Sequence, residues 1–324
     1  NNLKINFKLK IKIKNNFFLF LFSIIILLIF NIKLDIPIEN ILNKYKDNSS
    51  KFITIDQMNV HYKDEGVGVP IILIHGTGSS LHTWDDWAEK LKNEYRVIRM
   101  DLPAFGLTGP NKTNNYRLEY YKSFLETFIE KLELEQFILV GNSLGGSIAW
   151  YYSSYRVNKV NKLVLIDPGG FESKIDTPFI FKLAKTPLLN KILRYITPKY
   201  FIEKSLKEVY YDDKIISSKL VDRYHDLTLR EGNRAAFISR ANYEKVDHTI
   251  RLKKITVPTL ILWGKEDIWI SYTDGKKFLD LIPNSELVIM EKVGHVPMEE
   301  KPNESRIITL DFIKRTNSLE KKIR

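Results

Sequence analysis

Gly141-Asn142-Ser143-Leu144-Gly145-Gly146 stands between a short apolar run, Phe137-Ile138-Leu139-Val140, and a helix-compatible stretch, Ser147-Ile148-Ala149-Trp150-Tyr151-Tyr152. This order predicts a strand, a sharp turn and a helix, with Ser143 at the apex of the turn. A turn of that kind strains the backbone and lifts the serine hydroxyl clear of the sheet. The residues two before and two after the serine must be small, because strand and helix nearly touch there and glycine has no Cβ to clash. The pattern G-x-S-x-G also occurs in ordinary glycine turns, so its meaning depends on what surrounds it.

Around this segment the chain alternates between strand and helix patterns. Lys51–Ile55 and Val60–Lys63 read as a hairpin around Gln57-Met58-Asn59. Pro70–Ile74 is a continuous apolar run, as expected of a strand buried on both faces. Tyr95–Met100, Phe137–Val140 and Lys162–Ile166 are further strands, and Tyr116–Leu134 repeats its aromatic and apolar residues every four positions, as a helix does. From Gly169 to about Leu252 the alternation lapses into helical, strand-poor sequence. It resumes with a strand in Thr256–Trp263, a helix over Thr273–Leu281, a strand at Glu286–Met290 and a last helix over Asn303–Thr316. The expected architecture is a mostly parallel, eight-stranded α/β sheet interrupted after its sixth strand by a helical cap. The expected divisions are a basic, apolar N-terminal segment at 1–34 and a polar linker at 35–50. A core at 51–168 and 253–316, a cap at 169–252 and a tail at 317–324 complete them.

A serine hydroxyl is a weak nucleophile at neutral pH and needs a neighbouring base, usually histidine, oriented by a carboxylate. His295, in Val293-Gly294-His295-Val296-Pro297, follows the last strand in a glycine-bearing loop. Asp267 follows the seventh strand in Trp263-Gly264-Lys265-Glu266-Asp267. All three residues then fall at the C-terminal edge of one parallel sheet, in the order Ser143, Asp267, His295. Glu266 and Asp167 are the alternative acids. Donors for a tetrahedral oxyanion are expected from the backbone N–H groups of Thr77, in His75-Gly76-Thr77-Gly78-Ser79-Ser80, and of Leu144. His75 is expected to shape that loop.

Five motifs together resemble an α/β-hydrolase: His75–Trp84, Asp101–Pro110, the elbow at Gly141, Leu262–Asp267 and Gly294–Pro297. The resemblance spans about residues 52–313 and is strongest to bacterial serine esterases and lipases related to haloalkane dehalogenases and meta-cleavage product hydrolases. It implies an α/β-hydrolase fold, hydrolysis of carboxylic esters through an acyl-enzyme intermediate, and no metal or cofactor. Departures narrow it. Dehalogenases and epoxide hydrolases of this type use an aspartate nucleophile where Ser143 stands. The carbon–carbon hydrolases usually carry tryptophan after the catalytic histidine, where this chain has Val296. Proline iminopeptidases carry tryptophan where it has Leu144. A carbon–carbon hydrolase and a non-enzymatic binding protein of the same fold are the rival readings.

Composition limits the rest. The 324 residues contain no cysteine, which removes disulfides, thiolate metal sites and cysteine nucleophiles. The net charge of +11 divides unevenly: residues 1–50 hold eight Lys/Arg against three Asp/Glu. The remainder forms no basic stripe with interleaved aromatics, so no nucleic-acid partner is expected. Lys4, Lys8, Lys10, Lys12 and Lys14 precede an uncharged run from Phe17 to Phe30. That run is expected to be an uncleaved single-pass membrane anchor rather than a cleaved signal, with the N-terminus cytoplasmic and the folded domain extracytoplasmic. A small-molecule or lipid ester is the expected substrate, met at the membrane.

Overall fold

The computed structural model describes residues 32–172, 175–244 and 246–320. The expected anchor, Phe17 to Phe30, lies outside them. Among the described residues no helix is long and apolar enough to cross a membrane.

The first helix, α1 (Ile38–Tyr45), falls where a polar linker was expected. Pro37 precedes it with a fixed φ, and Ile38, Ile41, Leu42 and Tyr45 recur at helical spacing on one face. Ile41 is buried against Leu107 and Leu227, and the Tyr45 hydroxyl donates to Asp226 Oδ2 at 2.8 Å. Asp226 also pairs with Lys44. The segment is therefore clamped to the body of the protein by both packing and charge.

One sheet of eight strands follows: β1 (Ser50–Ile55), β2 (Met58–Glu65), β3 (Val69–Ile74), β4 (Tyr95–Met100), β5 (Phe137–Asn142), β6 (Val160–Ile166), β7 (Thr259–Gly264) and β8 (Ser285–Met290). Their spatial order is β1-β2-β4-β3-β5-β6-β7-β8. The two pairings made by β2 are antiparallel and all others are parallel. The first hairpin turns tightly at Asp56 and Gln57, with φ of 48° and 61°. Two successive positive φ angles match the right-handed twist of paired strands, so β2 starts at Met58, earlier than its alternation suggests.

The continuous apolar runs are explained by burial on both faces. Along β3, Ile71 and Leu73 pack into one layer with Trp87 and Leu91 of α2 (Asp85–Leu91). Ile72 and Ile74 pack into the other, with Phe124 and Phe128 of α3 (Leu118–Lys131) and Ile148 of α4 (Leu144–Ser153). Between β6 and β7 come, among the described residues, five α-helices: α5 (Phe179–Lys185), α6 (Leu189–Leu193), α7 (Lys199–Val209), α8 (Ser218–Leu229) and α9 (Asn233–Ala241). The chain then returns through β7, α10 (Thr273–Leu281), β8, a short α11 (Pro297–Glu300) and α12 (Pro302–Glu320). The last helix outruns its expected end at Thr316 because neither Gly nor Pro follows Pro302 to stop it.

Replacing Ile41 with Ala is expected to cost about 2–4 kcal/mol of packing at that contact. Amide hydrogen exchange across residues 38–45 should accelerate while β3 and β5 keep their protection. Unchanged exchange in α1 would mean that the helix is not held by Ile41.

Candidate active site

Ser143 joins β5 to α4 with φ 54° and ψ −114°, a left-handed region that a non-glycine residue adopts only under constraint. Two kinds of contact impose it. The Ser143 N–H donates to Ile166 O on β6 at 3.0 Å, and its carbonyl accepts from Ser147 N at 2.9 Å and Gly169 N at 3.2 Å. The glycines on either side permit the approach of backbone to backbone. A Cβ on Gly141 would lie 2.2 Å from Gly145 O, and one on Gly145 would lie 2.2 Å from Ile74 O at the end of β3. The helix is thus wedged against two strands, and no larger residue fits at either place.

His295 and Asp267 meet at the same sheet edge. His295 Nδ1 lies 2.6 Å from Asp267 Oδ2. The other carboxylate oxygen accepts from Trp269 N at 2.7 Å and Ile270 N at 3.0 Å, which fixes its rotamer. The Asp267 side chain is fully buried and that of His295 almost so. The backbone of His295 is clamped from two directions. Its N–H donates to Val209 O at the end of α7 (2.7 Å), and its carbonyl accepts from Asn142 Nδ2 (3.0 Å). Trp269 packs on the imidazole with ring centroids 5.5 Å apart. His295 Nε2 has no hydrogen-bond partner among the described residues, although it is buried.

The other two acids occupy different places. Glu266 Oε2 accepts from Val293 N at 2.9 Å and so braces the histidine loop. Asp167 Oδ1 accepts from Gly264 N at 2.9 Å. Asp167, Asp267 and His295 bring one ligand-type atom each within 4.8 Å of one another, all buried. Burial first, and the negative charge of Asp267 second, push the Asp167 carboxyl well above its ordinary range. With Oδ1 taken up by an N–H donor, the proton belongs on Oδ2. The trio suits a metal cradle poorly, because both Asp267 oxygens and one Asp167 oxygen already serve protein donors.

The loop after β3 supplies the opposite wall. His75 is buried and neutral, its pKa lowered by desolvation. Its Nδ1–H donates to Gly76 O at 2.7 Å and its Nε2 accepts from Leu102 N at 3.0 Å, so both ring nitrogens are spent on loop shape. Ser79 Oγ lies 3.2 Å from the hydroxyl of Tyr224 on α8, joining the loop to the helical insertion. Asp101 supports the loops from behind. It takes the N–H of Leu81 at 2.7 Å and of Leu107 at 2.8 Å, and it pairs with the buried His61 at 2.8 Å. Burial alone would raise its pKa, but its surroundings, His61 foremost with His75 and His82, together outweigh this and hold it below the ordinary carboxylate range.

Between these walls and the insertion lies a cavity of about 1000 Å³, counted with its open mouth. Thr77, Ser143 and His295 line it together. Asp267 stands behind the histidine. The Leu144 side chain packs into the core, while its N–H belongs to the first turn of α4, where helical N–H groups lack partners inside the helix. The remaining wall is largely apolar, with Ile180, Leu193, Ile202, Leu206 and Phe237 from the insertion. Besides His295, Arg234 is the one basic side chain in the lining among the described residues, and its Nε and Nη2 bind Asp35 at 2.9 and 2.6 Å.

Known proteins share this fold. A family profile described as alpha/beta hydrolase fold matches residues 69–302. The chain belongs to that family and is a hydrolase. The uncharacterised hydrolase YugF of Bacillus subtilis is 28% identical over 265 residues, covering 81% of this chain and 96% of the relative. A 2-hydroxy-6-oxo-6-phenylhexa-2,4-dienoate hydrolase of Comamonas testosteroni is 26% identical, covering 82% and 97%. Among solved structures, a bacterial membrane phospholipase A superposes with a TM-score of 0.72 at 26% identity, covering 83% of this chain and 86% of that one.

A neutral Asp167 has a consequence for stability. The folded protein keeps this proton where the unfolded chain, with a carboxyl near pKa ~3.9, has lost it. Its contribution to stability therefore falls as pH rises from the unfolded value to the raised folded one. D167N preserves the acceptor for Gly264 and an N–H where the proton sat, without that penalty. Urea unfolding at about pH 4 and about pH 7 should show the variant gaining on the wild type as pH rises. A constant difference would contradict a neutral Asp167.

Proposed function

We propose that this hydrolase cleaves carboxylic esters through an acyl-enzyme formed on Ser143. The observation that carries the reading is His295. Its Nδ1 is fixed on a buried carboxylate, and its Nε2, without a protein partner, belongs to a side chain that lines the same cavity as Ser143. In this mechanism His295 Nε2 takes the proton from Ser143 Oγ as the oxygen attacks the ester carbonyl. Asp267 keeps the tautomer that makes this possible and compensates the imidazolium that results. The N–H groups of Thr77 and Leu144 donate to the developing oxyanion. Collapse of the tetrahedral intermediate breaks the bond to the alcohol, which leaves with the proton held on Nε2. Water activated by the same imidazole then releases the acid and restores the serine.

The apolar wall suits an acyl chain, and the structural relative named as a membrane phospholipase A supports a lipid ester as substrate. The lysine-flanked run from Phe17 to Phe30 supports a single-pass anchor, with the folded domain on the extracytoplasmic side. A second reading, carbon–carbon bond hydrolysis, has support from relatives named for hexadienoate and nonadienedioate substrates. Such acids are anionic, and among the described lining residues the cavity offers them, besides His295, only Arg234, which is already paired with Asp35. Esters fit better.

S143A and D267N should each lower kcat on a short-chain p-nitrophenyl ester by roughly 10⁴-fold with KM little changed, since both act on the transition state. Activity of S143A within tenfold of wild type would refute the mechanism. A 2-hydroxy-6-oxo-dienoate turned over faster than every ester in a series of graded acyl length would favour the second reading.

A further inference from the structure

The insertion has a second face. Residues 177–202 contain five cations, Lys182, Lys185, Lys191, Arg194 and Lys199, and no Asp or Glu. From the inside this segment lines the cavity with Ile180, Leu193, Thr197 and Ile202. From the outside it exposes Leu188 (69%), Leu189 (41%), Ile192 (41%), Tyr195 (55%) and Tyr200 (64%). Leu188 turns with φ 68°, an unusual conformation for leucine, at the entrance to α6. Lys182 and Lys199 have acidic neighbours, whereas Lys185, Lys191 and Arg194 make no ion pair among the described residues.

Residues 32–34 lie at this face. Lys33 N donates to Tyr195 O at 2.8 Å, Arg234 Nη2 donates to Lys33 O at 2.7 Å, and Ile32 and Leu34 add further exposed apolar surface. The lysine-flanked apolar run of residues 17–30 lies a few positions upstream.

We infer that the outer face of α5 and α6 docks on an anionic lipid bilayer, so that the cavity's apolar wall is the inner side of a membrane-seated surface. Three observations select this occupant over a second copy of the chain. Apolar and aromatic residues interleaved with unpaired cations match the acyl and headgroup layers of one interface. A copy of the same chain would bring a like-charged face against this one. Lys33, three residues after the upstream apolar run, is hydrogen-bonded to Tyr195, which keeps the face close to any membrane that the run enters. An α6 seated about 5–10 Å into the headgroup boundary would place Leu193 between lipid and cavity, a short route for an acyl chain. The inference gives the ester-hydrolase reading its substrate source, but its test needs no turnover.

Because the chain has no cysteine, a single environment-sensitive label can be placed anywhere. The full chain carrying I192C is labelled with nitrobenzoxadiazole and reconstituted into phosphatidylcholine–phosphatidylglycerol vesicles with and without brominated acyl chains. N158C, in the exposed turn before β6 at the opposite sheet edge, is the control. The label at 192 should be quenched several-fold more strongly than that at 158. K191E/R194E should weaken the quenching in anionic vesicles while hydrolysis of a soluble ester stays unchanged. Equal quenching at the two positions in vesicles that carry the protein would overturn the docking face and leave the anchor intact. A signal that follows protein density rather than bromination would assign the face to a second copy and overturn the inference. Failure of the protein to float with vesicles would remove both anchor and face, and loss of soluble-ester hydrolysis in the wild type would remove the enzymatic reading alone.

Discussion

The contact of Gly145 with the end of β3 governs the geometry of everything around it. With the site of its missing Cβ only 2.2 Å from Ile74 O, α4 runs hard against two strands at once. The chain can then pass from β5 into α4 only through a left-handed residue, and that residue is Ser143 at φ 54°. Its hydroxyl is lifted to the cavity because backbone fills the space beneath it. The strain is met by hydrogen bonds from a neighbouring strand and loop, Ser143 N to Ile166 O and Gly169 N to Ser143 O. A turn made this way is rigid, which the proposed nucleophile requires if it is to meet its base at a fixed distance.

The histidine is positioned by elements far apart in the chain. Asn142, adjacent to the serine, holds the His295 carbonyl; Val209, at the end of α7, holds its N–H; Trp269 covers its ring. The helical insertion is thus joined to the core at the histidine as well as at Ser79. Glu299 extends the same join, accepting from Arg223, Tyr210 and Tyr224 of the insertion. The groups that close the cavity also set the orientation of its imidazole, which couples the shape of the cavity to the histidine at its floor.

Much of this was legible in the sequence, and the parts that were not have physical reasons. The strands at Ile71–Ile74 and Phe137–Val140 announce themselves because both of their faces are buried, so every residue is apolar. The elbow is legible because a steric demand for glycine leaves a mark at fixed spacing. Asp267 could not be separated from Asp167 and Glu266 by position, since each follows a strand. Only the rotamer set by the Trp269 and Ile270 N–H groups turns Asp267 toward the histidine. Asn142 escaped notice because its position in the motif tolerates many residues and its partner lies 153 residues away. Helix α1 was hidden by its polar residues Glu39, Asn40, Asn43 and Lys44, although Pro37 and the spacing of Ile38, Ile41, Leu42 and Tyr45 marked it.

The central claim is that Ser143 carries the acyl group during turnover. Its most direct test is the intact mass of the protein quenched in acid while it hydrolyses an ester with a slowly released acyl group. The account predicts a fraction of the chain heavier by one acyl group, with the addition on the peptide containing Ser143 and absent from unreacted enzyme. Steady turnover with an unmodified chain, or an acyl group on any other residue, would contradict it.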